Sequence, residues 1–379
     1  MHVRPILAAL VSLGLTLACG GGASSRSTPA PAGNLAIRLG SDSFPGYTQA
    51  VVSLEKVEAT SDGANWVLLG NVKTTVDLMA LQNGHSAVIL PATSVRAATY
   101  TQFRLTWATV NYQSAINQPA YVVPGGGVGQ LLAMPTTTVV QGPVSVQAGG
   151  NVTAQIMFSG QQAVQSRATG TYTFQSTGRV FDLAASATLA GHAADGATPL
   201  AGVEVFAETV DGTGLATVQR RAFTDGSGNF TLEGLPTGVL YFVAAQPAGA
   251  SSSYAAVAST PVDATAATTY TANLAFSTPQ TPGSLTLTIT PASTSTQGTW
   301  GELRQALPTG TVGSQILIVR SQTVATGLTQ DQAGFLGLAP GIYGVTTQRS
   351  TSGGTPVAGA GTQVQVSAGG TATATVAYP

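Results

Sequence analysis

Nucleophilic catalysis needs a thiol, hydroxyl or amine held against a base, and this chain offers one cysteine, Cys19, and three histidines, His2, His85 and His192. His85 directly follows the Asn83-Gly84 turn and His192 sits at a strand start, Ala190-Gly191-His192, so both read as solvent-facing. There is no Gly-x-Ser-x-Gly and no His-Glu-x-x-His, and neither Lys56 nor Lys73 follows a phosphate-cradling glycine loop. An enzyme is therefore not expected, nor a cofactor. Asp225-Gly-Ser-Gly-Asn229 has the look of a cation loop, but Ca²⁺ takes roughly six to eight oxygens, commonly from several carboxylates. With Asp225 its only charge, the loop is expected to hydrogen-bond its own turn backbone, and no metal site is read. Exposed rings beside polar groups are the remaining chemistry, since sugars stack on them. Trp300, in the loop-like Gln297-Gly-Thr-Trp300-Gly-Glu302, and Tyr254, in Ser251 to Tyr254, are the candidate ligand-binding residues. Trp107 alternates with Phe103 and Leu105, and Trp66 precedes an apolar run; both are expected in a core.

The elements that would position these residues begin after a targeting segment. Arg4 supplies a positive n-region and Ile6 to Leu17 an apolar stretch, too short for the roughly 20 residues that span a bilayer. Thr16-Leu17-Ala18-Cys19-Gly20 follows. This resembles a bacterial lipobox, which implies cleavage before Cys19 and lipidation of its thiol. The cysteine has no disulfide partner in the chain. More than one acyl chain, as the resemblance implies, gives stable anchoring. Gly20 at the following position then favours the outer membrane. The expected partner is thus a membrane, through a lipid anchor on residue 19, with residues 20–33, rich in Gly, Ser and Pro, as a flexible tether.

Charge narrows the function further. Charged residues are 8% of the chain, against about 25% in typical soluble domains. Only two lysines are present, and the 14 basic side chains face 15 acidic ones. A nucleic-acid footprint needs clustered positive charge, so none is expected; a surface glycan or an envelope protein is the expected kind of partner. Apolar residues are 43% of the chain, ample for a core. A mature length of about 360 residues implies two or three domains.

Period-two alternation recurs almost everywhere, as in Phe103-Arg-Leu-Thr-Trp107 and Val203-Glu-Val-Phe-Ala207, and it predicts strands. A short helical turn over Leu78 to Gln82 is the one exception. Three segments end alike: Val146-Gln-Ala-Gly149-Gly150 to Phe158, Val262 to Phe276, and Val366-Ser-Ala-Gly369-Gly370 to Tyr378. Each reads as a strand, a tight turn and a second strand. A second element recurs as Gly234-Leu-Pro-Thr-Gly238 before Tyr241, as Gly337-Leu-Ala-Pro-Gly341 before Tyr343, and more loosely as Leu90-Pro91 through Tyr100 to Phe103. Repetition of this kind points to modules sharing one strand grammar.

Two family resemblances rest on these residues. The first is carried by Ala50 to Val57, Trp66-Val-Leu68, Thr75-Val-Asp-Leu78, Leu81-Gln-Asn-Gly84, Tyr100 to Leu105 and the Gly142 to Phe158 hairpin. On these, residues 34–186 resemble the bacterial lipoprotein domain known as domain of unknown function 4382. The second is carried by Ala190-Gly-His192, Pro199 to Val205, Thr224 to Phe230 and Gly234 to Val243. On these, residues 187–278 resemble a carboxypeptidase-regulatory-like (transthyretin-like) module, which implies a seven-strand sandwich. Residues 283–379 form a third module through the two repeated elements. The expectation is an all-β chain of tandem Ig-like or transthyretin-like β-sandwiches. It would be a non-catalytic, envelope-anchored surface protein, structural or adhesive, with its sandwiches in a row as a stalk. The alternative is a carbohydrate- or peptide-binding accessory module of an envelope complex.

Overall fold

The computed structural model describes residues 30–113, 118–166, 170–175, 178–249, 252–293, 298–324, 329–350 and 357–378. Cys19 lies outside the described residues. The period-two segments form strands throughout, so the fold is all-β. Residues 32–182 supply β1 (Ala32–Ser41), β2 (Tyr47–Thr60), β3 (Val67–Asp77), β4 (Ala87–Arg96) and β5 (Ala98–Trp107). The short β6 (Tyr121–Pro124) and β7 (Gln130–Ala133) precede β8 (Thr137–Val146) and β9 (Asn151–Phe158). A helical turn, α1 (Gly160–Ala163), then leads to β10 (Val164–Ser166), β11 (Tyr172–Phe174) and β12 (Gly178–Asp182). The helical turn expected after Asp77 is a 3-10 turn over Leu78–Leu81, capped by the Asp77 carboxylate, which accepts from the Met79 N–H at 3.0 Å.

Residues 187–276 supply β13 (Ala187–Asp195), β14 (Thr198–Pro199), β15 (Glu204–Val210), β16 (Ala216–Phe223) and β17 (Asn229–Leu235). They continue with β18 (Val239–Ala245), β19 (Val257–Ala258), β20 (Val262–Ala264), β21 (Thr269–Thr271) and β22 (Leu274–Phe276). Residues 283–377 supply β23 (Gly283–Thr290), β24 (Gly298–Pro308), β25 (Ser314–Thr323) and β26 (Asp331–Leu338). The last strands are β27 (Gly341–Ser350), β28 (Val357–Ala358), β29 (Thr362–Val366) and β30 (Thr371–Ala377).

One strand order is built three times. In the third group β26-β23-β30 packs against β25-β24-β27-β29, with β28 also on β27. In the second group β17-β13-β21/β22 packs against β16-β15-β18-β19/β20. The first group repeats the order as β4-β1-β9 against β3-β2-β5-β8, and adds β12 between β9 and β8 and the ribbon β6-β7-β11-β10 beyond β2. In each group the buried positions of facing strands make one apolar core, including Phe103 and Phe158 in the first, Phe230 and Tyr241 in the second, and Phe335 and Tyr343 in the third. A tyrosine hydroxyl also closes the same corner in all three. Tyr100 donates to the Arg96 carbonyl at 2.9 Å, Tyr241 to Pro236 at 2.8 Å and Tyr343 to Ala339 at 2.6 Å.

The repeated Gly149-Gly150 and Gly369-Gly370 turns do not close hairpins, contrary to the sequence expectation. The strand before each turn pairs in one sheet, β8 on β5 and β29 on β27. The strand after it crosses the core and runs parallel to the group's first strand, β9 on β1 and β30 on β23. The segment after Val262 behaves alike, with β20 on β18 and β21 and β22 parallel to β13. Gly149 and Gly369 have φ of 72° and 66°, which supplies the sharp reversal in each arch. Gly33 and Gly283 lie beneath these arches in matching surroundings. A Cβ at Gly33 would sit 2.3 Å from the Gln147 carbonyl oxygen, and one at Gly283 2.4 Å from that of Ser367. Local alternation shows that a strand exists but not which sheet accepts it, since both faces of the arch bury apolar residues.

The three groups do not form a stalk. Residues 31–379 make one compact unit, and part of the strands' outer surface, as at Glu204, Glu208, Glu302 and Arg304, is buried. Ala216, Phe242 and Ala244 of the second group belong to the third group's core cluster. Two tryptophan expectations change. Trp300 lies in β24, not in a loop, and is 3% exposed. Its indole N–H donates to Glu302, and the face it shares with Glu302 and Arg304 is buried. Trp66, expected in the core, is half-buried with the Arg104 guanidinium 4.3 Å above its ring. Trp107 is in the core as expected, its indole donating to Thr138.

Candidate functional site

Where the three groups meet, polar side chains that alternation assigned to solvent are buried together. β15 buries both faces: Val205 and Ala207 point into their own core, while Glu204, Phe206 and Glu208 alternate outward and are covered. Glu204 accepts from the Ser43 hydroxyl at 2.7 Å and lies 3.7 Å from an Arg221 nitrogen. Asp42, at the end of β1's buried run, lies 3.7 Å from Arg220. Arg220 also donates to the Glu233 carbonyl at 2.8 Å and stacks over Phe181. Glu208 accepts the Ile318 N–H of β25 at 2.9 Å. Arg304 donates to the Ala216 carbonyl of the second group and to Glu302. Burial pushes the Asp42 and Glu204 carboxyls above the usual carboxylate range despite the arginines beside them, and Glu208 well above it.

An open cleft of about 480 Å³ lies at this junction. Tyr47 and Tyr172 of the first group form one wall, their rings edge-to-face at 6.1 Å. Glu204 and Gln246 of the second group and Arg320 and Gln322 of the third line the rest. Gln246 is 2% exposed; its amide N–H donates to the Tyr343 hydroxyl at 2.6 Å, whereas its carbonyl oxygen has no hydrogen-bond partner among the described residues. The buried Arg320 Nη1 is likewise unpartnered among them.

The residues singled out from sequence lie apart from this cleft. Tyr254 is half-buried, its ring edge-on to Phe276 at 6.0 Å and its hydroxyl on Asp195. His192 is half-buried in β13, its backbone N–H on the Asn273 side chain, and His85 is exposed. The Asp225 carboxylate accepts from the Ser227 and Asn229 N–H groups at 2.8 and 2.9 Å, which makes the loop a self-contained Asx turn. Those bonds hold its carboxyl below the usual carboxylate range. Asn83 does more than turn the chain: it accepts from Thr231 N–H at 2.6 Å and donates to the Asn229 carbonyl, docking the first group on the second. Sequence reasoning missed Gln246, Arg320 and the buried arginines, because alternation places a side chain on the outer face without saying what covers that face. The clustering of Arg220-Arg221 opposite Glu204 and Glu208 was the available signal.

No curated protein matches the chain. Among solved structures it is similar to the Bacillus anthracis TIE protein, at 12% identity and a TM-score of 0.18, over 92% of this chain and 50% of that one. The chain thus spans about half the length of that protein. It is similar to a streptococcal ancillary pilin at 11% identity and a TM-score of 0.21, over 91% and 99% of the two chains. It is also similar to the shaft pilin SpaA of Lactobacillus rhamnosus GG at 15% identity and a TM-score of 0.19, over 52% and 98%. Residues 32–176 match the family described as Domain of unknown function (DUF4382), a match that falls on the first group of strands.

Proposed function

We propose that this chain is a non-catalytic lipoprotein of the bacterial envelope, acylated at Cys19 and borne by the outer membrane, with a structural or adhesive role at the cell surface. Residues 19–33 act as the tether, and residues 34–186, 187–278 and 283–379 are its three sandwich modules, the second of the carboxypeptidase-regulatory-like kind. The observation that carries the reading is the single strand order built three times and joined through buried charged contacts: Asp42 to Arg220, Ser43 to Glu204 and Glu208 to Ile318. Such a body resists relative motion of its parts, because separating them would expose unpaired apolar and ionic groups at once. The lipobox-like Ala18-Cys19-Gly20 supports the anchor. The burial of Trp300 removes the ring that best suited a glycan-binding loop and so favours the structural reading over the accessory one.

Intact mass of the protein extracted from native membranes tests the anchor, with Cys19→Ser as control. A chain beginning at residue 19 with added acyl mass is expected, and the variant should leave the membrane fraction. Unmodified protein, or a variant retained as well as the parent, would sink the anchor.

A further inference from the structure

We propose that β1 has a mechanical function: it takes up pull from the tether that precedes it and passes that load, in shear, to the second group. This load path presupposes residues 19–33 as the tether. The chain runs directly into β1, which lies inside its sheet with a neighbour on either side. Its parallel neighbour β9 is paired from Asn34–Asn151 to Ser41–Phe158. Its antiparallel neighbour β4 is paired from Ala32–Arg96 to Leu39–Ala87. Pull at the amino end of β1 runs along both ladders and strains their hydrogen bonds together, instead of opening them one at a time. The entry point is pinned as well, the Pro31 carbonyl accepting from the Ala97 N–H at 2.8 Å and the Ala32 carbonyl from the Gly149 N–H at 2.7 Å. Sliding the strand would also drag Leu35, Ile37 and Leu39 through a close-packed core.

The far end of β1 is held outside its own group. Asp42 lies 3.7 Å from Arg220, and the Ser43 hydroxyl donates to Glu204 at 2.7 Å, so the two residues that follow the strand are fixed in the second group. The strands that grip β1 are tied to that group too. Gln155 of β9 donates to Glu233 at 3.3 Å, and Asn83, in the turn before β4, accepts from the Thr231 N–H at 2.6 Å. Load that leaves β1 along its axis or through either neighbour therefore reaches the second group. The anchor is read by mass and fractionation, so its failure and that of the load path show in different measurements.

The test is single-molecule stretching of the full chain, expressed unacylated so that Cys19, its one cysteine, serves as a thiol handle. A second handle is placed in turn at two exposed positions. Val88→Cys lies beside Arg38 near the far end of β1 and loads the ladders in shear. Ala148→Cys lies by the amino end of β1 and peels them. Shear breaks all the pairs within a slip of about 3.3 Å, whereas peeling breaks one pair on each side per about 6.6 Å of chain released, so the rupture force should be higher in shear on the order of tenfold. At a fixed force in shear, Ser43→Ala should unfold about tenfold faster than the parent, the loss of one hydrogen bond to a charged group. In the peel geometry it should unfold at the parent's rate, because rupture starts at the other end of the strand. Equal rupture forces in the two geometries would overturn the proposal. So would a Ser43→Ala chain that keeps the parent's rate in shear, or one that speeds up equally in both geometries.

Discussion

Replacing Arg220 by Met removes the partner of a carboxylate buried between two modules. Asp42 is 6% exposed and Arg220 3%, with their charged atoms 3.7 Å apart. At that distance and an effective dielectric of ~20, two unit charges attract by about 4 kcal/mol, and stripping one member of a buried pair typically costs ~3–5 kcal/mol. Part of the loss is independent of pH, since Arg220 also donates to the Glu233 carbonyl and stacks on Phe181. The charge component must vary with pH. Burial already raises the Asp42 carboxyl above its ordinary value although Arg220, Arg221 and Arg179 all face it. The folded state therefore holds a proton more tightly than the unfolded state, and this group's contribution falls as pH rises above the unfolded value near 3.8. Without Arg220 the raise is larger and the fall steeper. Urea unfolding of the parent, Arg220→Met and the Asp42→Asn/Arg220→Met double variant at pH 4.5 and 7.5 reads this directly. The single variant should lose clearly more at pH 7.5, and the double variant should recover most of the difference. Equal losses at both pH values, or a double variant no better than the single, would refute the electrostatic reasoning.

Glu208, raised well above the carboxylate range by burial despite the opposing pull of the Ile318 N–H, Arg304 and Arg221, should likewise make the parent less stable as pH rises from about 4.5 towards neutrality. Glu208→Gln keeps the acceptor for Ile318 and should flatten that decline in the same urea series. Among the tyrosine corners, Tyr100→Phe should cost about 1 kcal/mol and Tyr343→Phe more, up to about 3 kcal/mol. The Tyr343 hydroxyl serves both the Ala339 carbonyl and the buried Gln246 amide, and calorimetric melting would rank the two variants. Gly33→Ala and Gly283→Ala should destabilise to a similar degree, about 1–3 kcal/mol for a methyl forced into backbone. Each Cβ would meet the same carbonyl of its arch, so a large effect at one site alone would contradict the equivalence of the two arches.

Residue types and spacing alone determined that the chain is all-β, because apolar side chains at every second position can bury one face only as strands. They also marked the repeated units: Gly149-Gly150 and Gly369-Gly370, and the tyrosines 100, 241 and 343, recur in order because each module needs the same reversal and the same corner. The Asp225 loop was readable as a turn, since a lone carboxylate is satisfied within a few residues of itself. Only the tertiary structure decided which sheet each strand joins, and so turned expected hairpins into arches: pairing partners are set by contacts more than a hundred residues apart, as between Asn34 and Asn151. It likewise decided the fate of the outward-facing side chains. Glu204, Glu208, Arg304 and Trp300 carry the alternation of surface residues, yet neighbouring modules cover them. The cleft follows from the same cause, for Tyr47, Gln246 and Arg320 share no local pattern and meet only where the three groups close on one another.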